Sequence, residues 1–142
     1  MTPGEVFMSV TPIYAGILAI LFFVLSIRVV AGRRNVASLG DGGNPRLQRR
    51  IRGHGNFAEY VPFILLMMAM LELSRFSTYL LHGLGITLVV ARLLHAYALS
   101  FTEHFKFGRF WGTALTFTLL VVCGVLCLYQ GLQASIRLAS LG

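Results

Sequence analysis

Four long uncharged runs divide the chain: Val6 to Ile27, Tyr60 to Leu71, Phe76 to Ala91 and Phe110 to Ile136. A helix needs about 20 mostly apolar residues to cross roughly 30 Å of hydrocarbon. The first and last runs reach that length alone, and the middle two reach it by borrowing residues past their flanking charges. The pattern predicts four membrane-spanning helices. The first should run from about Val10 to the region of Arg33. The segment Ser38-Leu39-Gly40-Asp41-Gly42-Gly43-Asn44-Pro45 is rich in turn residues and forms the one clear loop. Asn44 followed by Pro45 predicts an N-cap with proline at the first helical position. The second helix then continues to about Leu73, arginine-rich at first and apolar only from Tyr60. Pro62 lies inside it, where the ring removes a backbone hydrogen bond and crowds the Ala58 carbonyl, so a kink is expected there. The third helix should cover about Thr78 to Leu99 and the fourth about Phe110 to Ile136. Between them, Ser100 to Gly108 mixes aromatic and charged residues, and Trp111 and Tyr129 bracket the last helix as interfacial anchors. Small residues (Ala15, Gly16, Ala19, Gly83, Gly85, Gly124, Gly131) permit close helix approach.

Composition supports an all-α integral membrane protein. Of 142 residues, 56% are hydrophobic, and the mean hydropathy is +0.76. That is too apolar for an ordinary soluble domain. Four spans leave little chain for anything else, so residues 1–142 read as a single four-helix domain. The net charge of +7 would suggest nucleic acid in a soluble protein. Here Arg28, Arg33, Arg34, Arg46, Arg49, Arg50 and Arg52 gather at the first connection, and the positive-inside rule places that connection in the cytoplasm. Lys106 and Arg109 place the third connection beside it, leaving both termini outside (N-out, C-out). The partner implied is a lipid bilayer, with no nucleic acid. Arginines follow the first run and no basic segment precedes it, so it reads as a retained span and not a cleaved signal peptide.

Several chemistries fit poorly. Cys123 and Cys127 lie four apart on one helix face and read as small hydrophobes in a helix interface. His54, His82, His95 and His104 are scattered over different helices and faces, which argues against a metal site. No Ser/His/Asp order and no phosphate-binding glycine loop is present.

One stretch does carry chemistry. At 100° per residue, Arg49, Arg52, Asn56 and Glu59 share one face of the second helix, and His54 points nearly the opposite way. Glu59 and Glu72 are thirteen residues apart, about 20 Å of rise. Both carboxylates therefore cannot sit comfortably in water, and an intramembrane carboxylate is a functional-site hypothesis by default. Arg75 can serve Glu72 from three residues on. Arg92 and His95, on one face of the third helix, reach a depth similar to Glu59 and Asn56, which makes Glu59–Arg92 a plausible pair. Arginine forms bidentate bonds with carboxylates and phosphates, and one carboxylate with one amide suits an ammonium or peptide group. The implied ligand is a small zwitterionic or polyanionic molecule. Arg109 is the cation best placed to favour a thiolate on it.

Arg52-x-x-x-Asn56-x-x-Glu59-Tyr60-x-Pro62, in this membrane context, resembles the signature of the MAPEG family, the membrane-associated proteins in eicosanoid and glutathione metabolism. Ala91-Arg92-Leu93-Leu94-His95 and Arg109 are further, weaker matches, and the resemblance covers nearly the whole chain. It implies a homotrimer of four-helix bundles with glutathione, as co-substrate, bound between subunits near the cytoplasmic side. Under it, Arg52 would meet a glutathione carboxylate, Asn56 would hydrogen-bond the tripeptide and Glu59 would take the amino group. Arg33 would reach in from the adjacent subunit, Arg92 and His95 would line the site, and Arg109 would stabilise the thiolate. The family's enzymes add that thiolate to small lipophilic electrophiles or reduce lipid hydroperoxides. Leu99 stands where the eukaryotic enzymes commonly have a tyrosine, and Phe110-Trp111-Gly112 follow the arginine. The short loops resemble the prokaryotic branch, in a bacterial inner membrane. Two functions stay open: a glutathione-dependent transferase or peroxidase, and a non-catalytic protein using the bundle for lipid binding or assembly.

Overall fold

A computed structural model of the chain describes residues 8–34, 36, 40–102 and 105–141. Part of the expected first loop (38–39) and the centre of the third connection (103–104) lie outside the described residues. Four helices follow in order: α1 (Thr11–Gly32), α2 (Pro45–Leu73), α3 (Thr78–Ala96) and α4 (Lys106–Ala139). A π-helical turn, Tyr97–Phe101, continues α3. All four, with α3 taken through Phe101, are long and apolar enough to cross a membrane. α1, the shortest of the spans at 22 residues, rises about 33 Å, which matches the hydrocarbon thickness.

α2 and α3 form the inner pair, and α1 and α4 each pack on both. The core between them is built from Leu18 and Leu25 of α1, Ile64, Met68 and Leu71 of α2, Leu81 and Leu88 of α3, and Leu119 of α4. Outward faces carry Ile20, Phe23 and Val30 of α1 and Val121, Leu128 and Leu132 of α4, side chains as apolar as the lipid they would meet. The cysteines pack as expected: Cys123 is fully buried and the Cys127 thiol lies 3.7 Å from the Met67 carbonyl of α2.

Helix boundaries follow local chemistry. The Asn44 side-chain oxygen accepts from the Arg46 and Leu47 amides at 3.0 and 3.2 Å, with Pro45 at the first helical position. α2 then continues as one helix through Pro62. It closes with the Arg75 amide on the Glu72 carbonyl (2.9 Å) and the Phe76 amide on the Leu71 carbonyl (3.1 Å). This paired cap puts Arg75 at φ 60°, a position usually given to glycine.

Four expectations are corrected. The α-helical part of the third span stops at Ala96, three residues short of Leu99, and the chain widens into the π turn. The widened turn frees the Ser100 carbonyl, which accepts from the Arg28 guanidinium of α1. α4 starts at Lys106, four residues before Phe110, because Lys106 and Arg109 end an apolar run without ending a helix. The close helix approaches match the recurring small residues only in part. Gly85 of α3 packs directly on the Tyr14 ring of α1, as expected, but Gly16, Gly83, Gly124 and Gly131 face open space, and a Cβ on Gly112 would stand 2.8 Å from the Ala91 carbonyl oxygen and the His95 Cβ. Finally, Arg75 is not the partner of Glu72. The buried Glu72 carboxylate accepts the amides of Ser9 (2.5 Å), Val10 (2.7 Å) and Thr11 (2.7 Å) at the start of α1. No side chain caps α1 locally, so a carboxylate from α2 does it from across the bundle.

Candidate functional site

The Asn44 cap sets the start of α2, and its turn spacing aims Arg49, Arg52, Asn56 and Glu59 to one side. His54 goes the other way: its Nε2 is 3.1 Å from the Ser26 hydroxyl, and its ring stacks on Phe22 with centroids 4.6 Å apart. The polar side opens on a cleft of about 680 Å³. Its other walls are His95 of α3, Leu99 of the π turn, and Arg109 and Thr113 of α4. α4 comes this close because Gly112 presents no Cβ to α3.

Five of the seven residues proposed from sequence therefore meet in one space: Arg52, Asn56, Glu59, His95 and Arg109. The other two do not line it. Arg33 caps the C-terminus of α1, half-buried. Arg92 lies behind the wall, 1% exposed. Its Nη1 donates to the Asn56 side-chain oxygen at 2.9 Å, and its guanidinium stands 6.0 Å from the Phe57 ring. The expected Glu59–Arg92 pair is thus replaced by Asn56–Arg92. Glu59 is turned about 60° round α2 from Asn56 and is exposed in the cleft, with no ion pair among the described residues. Arg92 Nε and Nη2 are buried without a protein partner among the described residues.

The cleft is electrostatically lopsided. Among the described residues, Arg49, Arg52 and Arg109 face a single carboxylate, Glu59, so it suits a ligand with more negative than positive groups. The polar lining residues given no role from sequence are Gln48, Tyr60 and Thr113. Thr113 sits one turn beyond Arg109 and donates its hydroxyl to the Arg109 carbonyl at 2.9 Å, a relation that i, i+4 spacing would have flagged. Tyr60 directly follows Glu59. Arg109 and Thr113 also border a mostly apolar groove of about 550 Å³ with Phe110, Ala114 and Phe117, and Lys106 at its edge. The Tyr60 and Phe117 rings meet at 5.5 Å. One arginine thus faces a polar space and an apolar one.

The sequence pattern of the MAPEG family matches residues 11–129, which include every residue lining the cleft. The chain belongs to the MAPEG family. It is similar to the inner membrane protein YecN of Escherichia coli strain K12, at 38% identity over 89 residues, 62% of this chain and 68% of that protein. The protein of the same name from Escherichia coli O6:H1 matches to the same extent. Both relatives are bacterial inner membrane proteins, as the resemblance to the prokaryotic branch anticipated. With four spanning helices in this MAPEG chain, an inner-membrane location follows.

The Asn56–Arg92 contact makes a prediction that separates packing from function. Arg92→Met replaces a buried, half-partnered cation with an apolar chain of similar length, so thermal stability in detergent should hold or rise. Asn56→Ala leaves the guanidinium buried without its acceptor and should cost about 2–3 kcal/mol. The double variant should recover most of that loss. Glu59→Gln should be near neutral for stability. Additive Asn56 and Arg92 effects, or a large Glu59→Gln loss, would contradict the geometry.

Proposed function

We propose that the protein binds glutathione in the α2–α4 cleft and uses it as a transferase or peroxidase on lipophilic electrophiles. The observation that carries this reading is the convergence of Arg52, Asn56, Glu59 and Arg109 on one cleft, with an apolar groove on the far side of Arg109. Glutathione carries two carboxylates, one ammonium and one thiol. Arg52 and Glu59 are seven residues apart on α2, about 10 Å of rise, close to the reach of an extended tripeptide. A carboxylate on Arg52 and the ammonium on Glu59 would stretch the ligand along α2. Asn56, held by Arg92, meets the peptide between them, and the thiol comes to Arg109. A guanidinium there favours thiolate over thiol. The sulfur then attacks an electrophilic carbon from the groove, and the leaving group takes the electron pair. With a hydroperoxide it attacks the terminal oxygen, the O–O bond breaks and the alcohol leaves, and a second glutathione thiol then closes the disulfide with loss of water.

The same reading takes a homotrimer, with the cleft's open side closed by a neighbouring copy whose Arg33 completes the carboxylate contacts. The arginine-rich end faces the cytoplasm, where glutathione is held. A second reading, binding without turnover, draws on Leu99, an apolar residue in the cleft wall where the family's eukaryotic enzymes commonly carry a tyrosine.

Glutathione at a hundred times its Kd should stabilise the detergent-purified protein by about 2.7 kcal/mol, read as a rise of several degrees in Tm. Arg52→Ala should remove most of that rise. An unchanged Tm at saturating glutathione in several detergents would end the binding proposal.

A further inference from the structure

Arg92 stands behind the α2 wall of the cleft, 1% exposed, and acts on one residue of that wall. Its Nη1 donates to the Asn56 side-chain oxygen at 2.9 Å and stands 3.5 Å from the Asn56 backbone carbonyl oxygen. Asn56 is the residue that α2 presents to the cleft between Arg52 and Glu59. The Arg92 Nε and Nη2 atoms have no open surface. Arg92 therefore reaches no ligand in the cleft, and whatever it does there it does through Asn56.

Arginine carries donors only, whereas a side-chain amide has an acceptor on one arm and a donor on the other. The arm held by Arg92 must be Oδ1. The amide is planar, so fixing Oδ1 also fixes Nδ2. Nδ2 has no acceptor among the described residues, and it is not one of their buried unpartnered atoms, so it has open surface. Gly53 and Phe57, the helix neighbours of Asn56 on the core side, are buried. Arg52, Gly55 and Glu59 line the cleft with it, so the open surface of Asn56 lies on the cleft side. An unrestrained asparagine turns its amide over at little cost and meets either a donor or an acceptor. Here a turn would set the amide's donors against a buried guanidinium and forfeit a charge-assisted bond. The same bond polarises the amide and strengthens Nδ2 as a donor.

We propose that Arg92 is a positioning residue: by holding Oδ1 behind the wall it turns the Asn56 NH2 group into the cleft, so that the site demands an oxygen acceptor from the ligand at that point. The inference rests on the glutathione reading, under which the acceptor is a peptide carbonyl of the tripeptide. Arg52 and Glu59 then choose the charges at the two ends, and the Arg92–Asn56 pair chooses the polarity of the group between them.

The test measures the glutathione Kd by titration calorimetry, and Tm with and without glutathione, on the full chain in detergent. In Arg92→Met the amide is free to turn. Its Kd should rise several-fold, up to the roughly tenfold that one hydrogen bond is worth, while the Tm of the ligand-free protein holds or rises. Arg92→Lys, again a donor-only cation, should restore part of the affinity. Asn56→Asp is the second variant. Its carboxylate still accepts from Arg92, so the ligand-free Tm should hold or rise, but it has no donor left for the ligand, and Kd should rise by about tenfold or more. That loss should persist at high salt, where repulsion between separated charges is screened. Where turnover is seen, KM for glutathione should rise in both variants with kcat little changed. Equal Kd in wild type and Arg92→Met overturns the proposal, as does a loss in Asn56→Asp that disappears at high salt. A lower ligand-free Tm in Arg92→Met, with no recovery of affinity in Arg92→Lys, would make Arg92 a packing residue only. A wild-type protein that binds no glutathione would end the glutathione reading itself. Wild type that binds it, with equal affinity in both variants, would end this inference alone.

Discussion

Arg109→Ala is expected to lower glutathione-dependent turnover by about a hundredfold or more, with glutathione affinity changed far less. Arg109 sits in the first turn of α4, where the unpaired amides of the helix start add to its positive potential. It borders both the polar cleft and the apolar groove, so its charge is most useful to a sulfur passing between them. The other arginines of the cleft project from α2 and lie away from the groove. Removing Arg109 should therefore leave the ligand's carboxylates held while raising the cost of its thiolate. Two readouts separate these effects. Turnover is followed with a chloronitrobenzene electrophile and with an organic hydroperoxide, and the bound thiolate by its ultraviolet absorbance across pH. In the variant the thiolate midpoint should move to higher pH, and Arg109→Lys should restore part of the shift but less of the rate, since an ammonium lacks the guanidinium fork. Equal turnover in wild type and Arg109→Ala would remove the residue from the mechanism. Absence of turnover in both, with glutathione still bound, would favour the binding-only reading.

What could be read from sequence followed the range of the interactions involved. The Asn44-Pro45 start of α2 was legible because a cap reaches only two or three residues. The Arg49/Arg52/Asn56/Glu59 face was legible because helical spacing alone sets it, and the cleft opens on that face. Contacts between helices were less so. Depth along antiparallel helices paired Arg92 with the charged Glu59. In the bundle, rotation about α2 decides, and it brings the neutral Asn56 to the guanidinium. The π turn was invisible because the contact that uses it, Arg28 to the Ser100 carbonyl, spans 72 positions.

Glu72→Ala should be the most destabilising single change at the opposite end of the bundle, costing about 3 kcal/mol or more in detergent. Charge-assisted hydrogen bonds are worth about 1.5–3 kcal/mol each, and Glu72 accepts three, from Ser9, Val10 and Thr11. Pro12 near the start of α1 has no amide to offer, and no side chain caps the helix locally, so the amides freed by the substitution have no alternative acceptor. Val10 and Thr11 are buried, so water does not replace the lost acceptor there, and an unsatisfied buried amide is expensive. A negative charge against the first turn also complements the helix dipole, and that term is lost with it. Glu72→Gln should recover less than half of the loss, because one of its two terminal atoms is a donor facing donors. Arg75, the partner that charge and spacing alone would choose, is exposed, so Arg75→Ala should change Tm little. A Tm for Glu72→Ala within a degree of wild type, or an equal loss in Arg75→Ala, would mean that α1 is held by its apolar face alone and that the carboxylate is incidental to the fold.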